Sequence, residues 1–225
     1  MGDCQRALQV NERFAKAYNR MSKCHIALGD LAQASISLQK AIELEPGNQA
    51  NKKDQKHLAD LKIIDSLVQK AYKEEYFDKA VTNLSQLLQD CKHAVGLVAL
   101  KIECLMRAFK FEEASTYSAQ IQKSGSDLGN HPLFLMWRGK TLIYTGAEVL
   151  GKKHLQQAMQ YDPDLTECMQ LLKDVKKAAA AKEEAAAIFK EGRYEEAIEA
   201  FEACLELDPL NSAYNSTLLL NTAIA

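Results

Sequence analysis

Four polar side chains have types and spacings that could hold an anionic partner. Lys16 and Arg20 lie four residues apart, so in a helix they share one face and can both donate charge-assisted hydrogen bonds to a carboxylate. Lys182 and Asn221 could donate in the same way from the C-terminal part of the chain. An ordinary solvated polar group is the alternative explanation for each of them. A binding role therefore requires a fold that directs them toward a common surface.

The residue patterns of catalysis and metal binding are missing from the chain. The five histidines are scattered, with no HExxH pair and no cysteine at ligand spacing. The motifs GxxxxGK[ST], GxGxxG and GxSxG do not occur. Carboxylate pairs such as Glu112 with Glu113 fall in predicted helices, where exposed charge is common. We therefore expect a protein that is not an enzyme and that has no cofactor and no metal.

The composition argues against several other classes of partner. The formal net charge is −2, and the chain has no long uninterrupted run of lysine and arginine, so we expect no nucleic-acid partner. No apolar run reaches the roughly 18 residues of a membrane helix, and no basic-then-apolar leader follows Met1, so we expect no membrane partner. The 6 cysteines form no CxxC pair, which favours reduced, packed thiols over disulfides or zinc. Together these features predict a cytoplasmic protein, with the nucleus as a second location.

A recurring pattern of prolines and small residues predicts the fold. Pro46, Pro163 and Pro209 close three similar phrases, AIELEPGN, AMQYDPDL and CLELDPLN. A period near 34 residues, with a small residue where two helices touch and a proline after the second helix, is typical of tetratricopeptide repeats (TPRs). We therefore predict an all-α fold, a superhelical TPR solenoid of antiparallel helix pairs. The small residues of the pattern are Ala34, Ala80, Ala114, Gly151 and Ala197.

The same pattern divides the chain into repeats and groups of repeats. Complete repeats are predicted at residues 15–48, 61–94, 95–128, 132–165 and 178–211. The insertions 49–60 and 166–177 lack proline and glycine, so each should extend the next helix by about three turns. These two extended helices predict three groups: the end of one group at 1–48, a middle group at 49–165 and the start of another at 166–225. Because both ends cut through a repeat, we expect a fragment of a protein that is monomeric when complete.

Longer phrases of the chain resemble a family of TPR co-chaperones. GDCQRAL, KCHIALGD, ALKIECL and AAIFKEGRYEEAIEAFEACLELDP carry the likeness, together with the order of repeat groups and extended helices. The resemblance covers nearly the whole chain. It implies a cytosolic scaffold that holds the acidic C-terminal tails of Hsp70 and Hsp90 in a two-carboxylate clamp. It also implies a J domain after the last repeat, although the chain contains no HPD tripeptide.

The resemblance also implies roles for the four polar residues. Lys16 and Arg20 match the Lys/Arg pair of the third clamp repeat, and Lys182 matches the lysine of the first. Asn221 matches the asparagine of the second when four residues are inserted after Pro209. Ala186 stands where the clamp has another asparagine, so one donor of this second clamp is missing. The alternative function is a general TPR adaptor in another assembly, which reads a helix or an extended peptide without recognising chaperone tails.

Overall fold

A computed structural model describes residues 1–225 as twelve α-helices and one short 3₁₀-helix, without any strand. The all-α prediction is therefore confirmed. The 3₁₀-helix covers Asp127–Asn130. The α-helices are α1 (Gly2–Val10), α2 (Ala15–Ala27), α3 (Leu31–Leu44), α4 (Gln49–Lys73), α5 (Phe77–Leu87), α6 (Val95–Arg107), α7 (Phe111–Lys123), α8 (Pro132–Tyr144), α9 (Glu148–Tyr161), α10 (Thr166–Lys190), α11 (Tyr194–Leu205) and α12 (Ser212–Ile224).

The chain forms two compact units, Met1–Cys104 and Leu105–Ala225. The boundary falls inside α6, so the N-terminal unit holds α1 to α5 with most of α6. The C-terminal unit holds the end of α6 and everything after it. The division into repeat groups at 1–48, 49–165 and 166–225 describes the sequence pattern, and it stays a prediction.

Short turns join the two helices of each repeat, and most of these turns contain glycine. Gly29, Gly146 and Gly192 adopt φ values of +80°, +88° and +80°, in the left-handed region that glycine enters without steric cost. Glu75 and Phe109 occupy equivalent turns at φ values of +59° and +58°, although each carries a Cβ atom. The turns fold each helix back onto its predecessor, which produces the predicted helix pairs.

Asparagine side chains begin two of the helices that follow a repeat proline. Asn48 accepts hydrogen bonds from backbone N–H groups in the first turn of α4, and Asn211 does the same for α12. Each asparagine lies two residues after a proline, Pro46 or Pro209. Helices α4 and α12 therefore begin in the same register relative to the repeat pattern.

Helices α4 and α10 are the two extended helices, and each is 25 residues long. This confirms the prediction made from the proline-free insertions. In α4 the first half packs on α3, since Leu58 shares a buried cluster with Leu38. The second half packs on α5, since Val68 shares another cluster with Ala80. One continuous helix thus serves two successive helix pairs.

The small residues of the repeat pattern are all buried where two helices touch. Gly151 gives the closest approach, because a Cβ atom built there would lie 2.6 Å from the backbone oxygen of Gly139 and 2.6 Å from Cγ1 of Ile143. Helices α8 and α9 therefore meet where no side chain fits. The corresponding alanines are completely buried: Ala34, Ala80, Ala114 and Ala197.

The six cysteines are free thiols, four of them buried and two half-buried. Burial raises the pKa of Cys91 to about 11, with a smaller contribution from nearby carboxylates, and burial also raises the pKa of Cys168 to about 11. These two thiols therefore stay protonated near neutral pH and pack as small apolar groups. No helix combines the length and the apolar character needed to cross a membrane.

Candidate functional site

One side of α2 carries a row of four polar side chains, Lys16, Asn19, Arg20 and Lys23. Their spacing of three or four residues places them along one side of the helix. Lys16, Arg20 and Lys23 are exposed, and Asn19 is half-buried. The buried residues of α2 flank this row, and they are Ala15, Ala17, Ser22 and Ile26. The structure therefore places Lys16 and Arg20 on one accessible surface.

A groove of about 200 Å³ lies beside the polar row. Lys16, Asn19 and Arg20 form one wall, and residues of the segment 45–51 form the other. That segment crosses beside α2 because α3 ends at Leu44 and α4 begins at Gln49. The groove is thus a product of the repeat architecture, in which the loop after one helix pair passes the first helix of that pair.

Asp54 of α4 is held by two donors of the polar row. Asn19 Nδ2 donates a hydrogen bond of 2.8 Å to Asp54 Oδ2, and Lys23 Nζ lies 3.1 Å from the same oxygen. Asn19 also donates to Asn51 Oδ1 at 3.0 Å, and the Asn51 amide donates to the Ala41 backbone oxygen at 3.3 Å. These contacts tie α2 to α4 and leave Asn19 and Lys23 committed within the chain.

Lys16 and Arg20 are the cations of the row that have no counterion within the chain. The carboxylate on the facing wall, Glu45, accepts a hydrogen bond of 2.7 Å from Asn48 Nδ2. Asn48 is in turn committed to capping α4. The donors that remain available at the groove are therefore one ammonium and one guanidinium group. A carboxylate is a ligand that both groups bind with charge-assisted hydrogen bonds.

In the C-terminal unit, Lys182 lines a second pocket of about 200 Å³ between α10, α12 and the turn after α8. Its Nζ atom lies 5.7 Å from the ring centroid of Tyr214, within the range of a cation–π contact. The Tyr214 hydroxyl donates to the backbone oxygen of Ala178 at 2.8 Å. Burial chiefly raises the pKa of Tyr214, and the neighbouring Cys204 adds to this, so the ring is neutral. Lys182 is thus partly occupied by an internal aromatic partner.

Two partly buried hydrogen bonds hold the wall of this pocket in place. The Tyr144 hydroxyl donates to Asp208 Oδ1 at 2.6 Å, and Ser212 Oγ donates to the Tyr144 backbone oxygen at 3.2 Å. Burial is the main cause that raises the pKa of Tyr144, followed by its hydrogen bond to Asp208. The phenol therefore remains a donor at neutral pH, and it links the end of α8 to the loop before α12.

Asn221 does not line the pocket that contains Lys182. Its alignment with the clamp needs four inserted residues after Pro209, but α12 begins at Ser212, in the register of α4. Thr217 is the α12 residue on the pocket wall at this depth, and Asn221 lies half-buried one turn farther along. Ala186 packs against the buried cluster of the last repeat. The structure therefore brings Lys182 together with Tyr214 and Thr217 and leaves Asn221 outside.

Several residues of these sites were missing from the predicted set. Asn19 lies three residues from Lys16 and four from Lys23, so helical spacing could have flagged it. Asp54 is 35 residues from Asn19 and carries no local signal. Tyr214 stands in the first turn of α12, where an aromatic residue is ordinary packing. No group of three or more His, Cys, Asp and Glu side chains is placed to hold a metal ion.

Residues 15–48 and 178–211 each match the tetratricopeptide repeat family. The chain carries tetratricopeptide repeats. Over 98% of its length it is homologous to DnaJ homolog subfamily C member 7 of Homo sapiens, at 26% identity over 221 residues. The DnaJ homolog subfamily C member 7 homolog of Dictyostelium discoideum is 27% identical over 227 residues, or 99% of this chain. The alignments cover 44% and 41% of these relatives, so the chain spans less than half of their length.

A solved structure supports the same architecture. The crystal structure of the P58(IPK) TPR domain matches with a TM-score of 0.64 at 20% identity, over 99% of this chain and 62% of that one. At this identity the match concerns the fold. The two matched repeats and the sequence relatives support a TPR protein-interaction scaffold. Such TPR proteins are typically non-catalytic.

Proposed function

We propose that this TPR scaffold acts as a co-chaperone that binds the acidic C-terminal tails of Hsp70 and Hsp90 in the groove beside α2. The observation that carries this proposal is that Lys16 and Arg20 are accessible and unpaired at the groove. Both are exposed, both line the groove, and neither has a counterion within the chain. A terminal carboxylate between them would accept charge-assisted hydrogen bonds from both.

The relatives support a chaperone setting for this binding. They are named as DnaJ homologs, and the alignments extend over nearly the whole of this chain. We propose protein tails as the ligands, with neither nucleic acid nor a membrane, and we place the protein in the cytoplasm and also in the nucleus. It would act by holding its ligand as a monomer, without catalysis or a cofactor.

The pocket of the C-terminal unit is proposed as a weaker carboxylate site with one cation. Lys182 supplies the charge, but it already rests over the Tyr214 ring. Ala186 and Thr217 supply none of the amide groups that a clamp would use. A ligand at this pocket must draw Lys182 away from the ring, so we propose that tail binding depends mainly on the groove of the N-terminal unit.

Titration of tail peptides tests the proposal directly. Ten-residue C-terminal peptides of Hsp70 and Hsp90, with a free or an amidated C-terminus, are titrated into the whole chain by isothermal calorimetry. We expect the free-carboxylate forms to bind and the amidated forms to lose binding. Lys16→Ala with Arg20→Ala should weaken binding by about 2–5 kcal/mol, the range for truncating one side of a desolvated charge pair.

A matched variant separates the groove from general electrostatics. Lys79→Ala with Lys92→Ala removes the same two charges from exposed positions of the N-terminal unit outside the groove. This control should bind the tails nearly as well as the original chain. Equal binding of free and amidated peptides would refute the carboxylate clamp and favour a general TPR adaptor.

A further inference from the structure

Phe109 combines an unfavourable backbone conformation with an exposed ring. Its φ is +58°, and 66% of the residue is accessible to solvent. Equivalent turns of the same unit contain Gly146 and Gly192 at φ values of +88° and +80°. A residue with a Cβ atom is disfavoured in this region, and a ring in water does not offset that cost through burial. Glycine would therefore suit this turn better than phenylalanine.

The exposed ring forms part of an open groove of about 380 Å³ in the C-terminal unit. Phe109 makes an edge contact with Phe111, with centroids 6.1 Å apart and planes at 86°. Phe111 lies 6.1 Å from the Tyr144 ring at 54°. The three rings form a continuous aromatic row. The facing wall comes from small residues of α12, namely Ser212, Ala213 and Ser216.

Carboxylates give the rim of this groove its charge. Glu112 and Glu113 are both exposed in the first turn of α7 and both line the groove. Lys110 is on the same rim, 3.9 Å from Glu113. Glu112 has no ion pair within the chain. The single unpaired carboxylate of Glu112 beside an aromatic wall has the chemistry that recognises a cationic side chain flanked by apolar groups.

We propose that this groove, lined by Phe109, Phe111 and Glu112, binds a basic peptide segment in which one arginine or lysine is flanked by apolar residues. The cation packs on the accessible rings of Phe109 and Phe111 and pairs with Glu112, and the flanking residues cover the rest of these two rings. The Tyr144 ring is buried behind them, and Lys140 Nζ lies 5.4 Å from its centroid. The site selects the opposite ligand charge from the groove of Lys16 and Arg20. This role of the ring accounts for the strained turn, because glycine would relieve the strain but has no ring to bind the cation.

Fluorescence anisotropy with defined peptides tests this site in the whole chain. The probe is a labelled octapeptide with one arginine between two leucines in a glycine–serine background. The comparison peptide replaces arginine by glutamate. We expect the arginine peptide to bind about tenfold or more tightly than the glutamate peptide. Phe109→Gly should weaken binding of the arginine peptide about tenfold while raising the thermal unfolding temperature, because it removes the ring and relieves the turn.

Glu75→Gly is the matched control for the backbone effect. Glu75 occupies the equivalent turn in the N-terminal unit at φ +59°, so its replacement also relieves strain but removes no ring of the groove. It should raise the unfolding temperature and leave peptide affinity unchanged. Glu112→Gln with Glu113→Gln should weaken binding and reduce its salt dependence. The proposal is overturned if the arginine peptide binds no better than the glutamate peptide, or if Phe109→Gly binds it with the original affinity.

Discussion

Asn19 donates a hydrogen bond of 2.8 Å to Asp54, and Lys23 lies 3.1 Å from the same carboxylate oxygen. Asp54, a carboxylate of the chain itself, thus binds two of the four residues in the polar row of α2. The contact holds α2 against α4, and it also neutralises one cation next to the proposed ligand groove. An acidic ligand therefore meets Lys16 and Arg20 with their charges available and Lys23 with its charge already paired.

Asp54→Asn should increase the affinity for a tail peptide that carries an acidic side chain besides its terminal carboxylate. Asparagine keeps an oxygen that accepts from Asn19 but releases Lys23 for the ligand. Because exposed ion pairs contribute about 0.2–1 kcal/mol, we expect a gain of about two- to fivefold, measured by isothermal calorimetry. The free energy of unfolding should change by less than about 1 kcal/mol, since Lys23 is largely exposed.

Asp60→Asn is the control for this experiment. Asp60 is an exposed residue of the same helix, and its substitution changes the net charge by the same amount. A gain for Asp54→Asn alone would identify Lys23 as the released cation. Equal gains in affinity for both variants would show that net charge is responsible. If the original chain did not bind the tail peptide at all, that result would count against the proposed function itself.

Gly151→Ala should destabilise the C-terminal unit. The new methyl group would lie 2.6 Å from the Gly139 backbone oxygen and 2.6 Å from Ile143 Cγ1, so α8 and α9 must separate. Overpacking of this kind costs about 3 kcal/mol, which outweighs the gain of about 1 kcal/mol from helix propensity. We expect a net loss of about 2 kcal/mol in the free energy of unfolding, measured by urea titration with circular dichroism.

Gly96→Ala is the matched substitution for this prediction. Gly96 is also helical, but a Cβ atom built there meets nothing within 4 Å. Only the helix propensity changes, so the variant should be as stable as the original chain or more stable by up to about 1 kcal/mol. If both variants behaved alike, the close contact of α8 with α9 would not be what limits residue size at Gly151.

Much of the fold could be predicted because the repeat pattern encodes local packing. The proline after each helix pair and the small residue inside it constrain neighbouring helices, so the predicted repeat at 15–48 became the pair α2 and α3. The start of α8 at Pro132 and the two 25-residue helices follow from equally local signals. Such signals depend on a few consecutive residues and therefore appear in one sequence.

The site was less predictable because its contacts depend on how separate helices cross. Lys16 and Arg20 were candidates from the sequence, and their binding role stays a prediction. Asp54 bonds to Asn19 across 35 residues, and only the fold brings these two side chains together. The partner of Lys182 similarly lies on another helix, at Tyr214. The strained turn at Phe109 differs from both, because it is a local departure from the repeat pattern: the equivalent turns favour glycine, and this turn has phenylalanine.

His154 should make the C-terminal unit less stable in mild acid. Its Nδ1 atom is buried without a hydrogen-bond partner, and burial chiefly lowers its pKa, with further contributions from Arg138 and Lys153. The unfolded chain has the ordinary pKa of 6.5, so below that pH it binds a proton that the folded unit resists. Stability is therefore retained above pH 6.5 and lost as the pH falls through that value toward the lower folded pKa.

Unfolding followed by the fluorescence of Trp137, the single tryptophan, should show this loss between about pH 7 and 5. His154→Gln should flatten the dependence of the unfolding free energy on pH. His93→Gln replaces an exposed histidine of the N-terminal unit and should leave this dependence unchanged. If the original chain and His154→Gln showed the same slope against pH, His154 would be excluded as the cause.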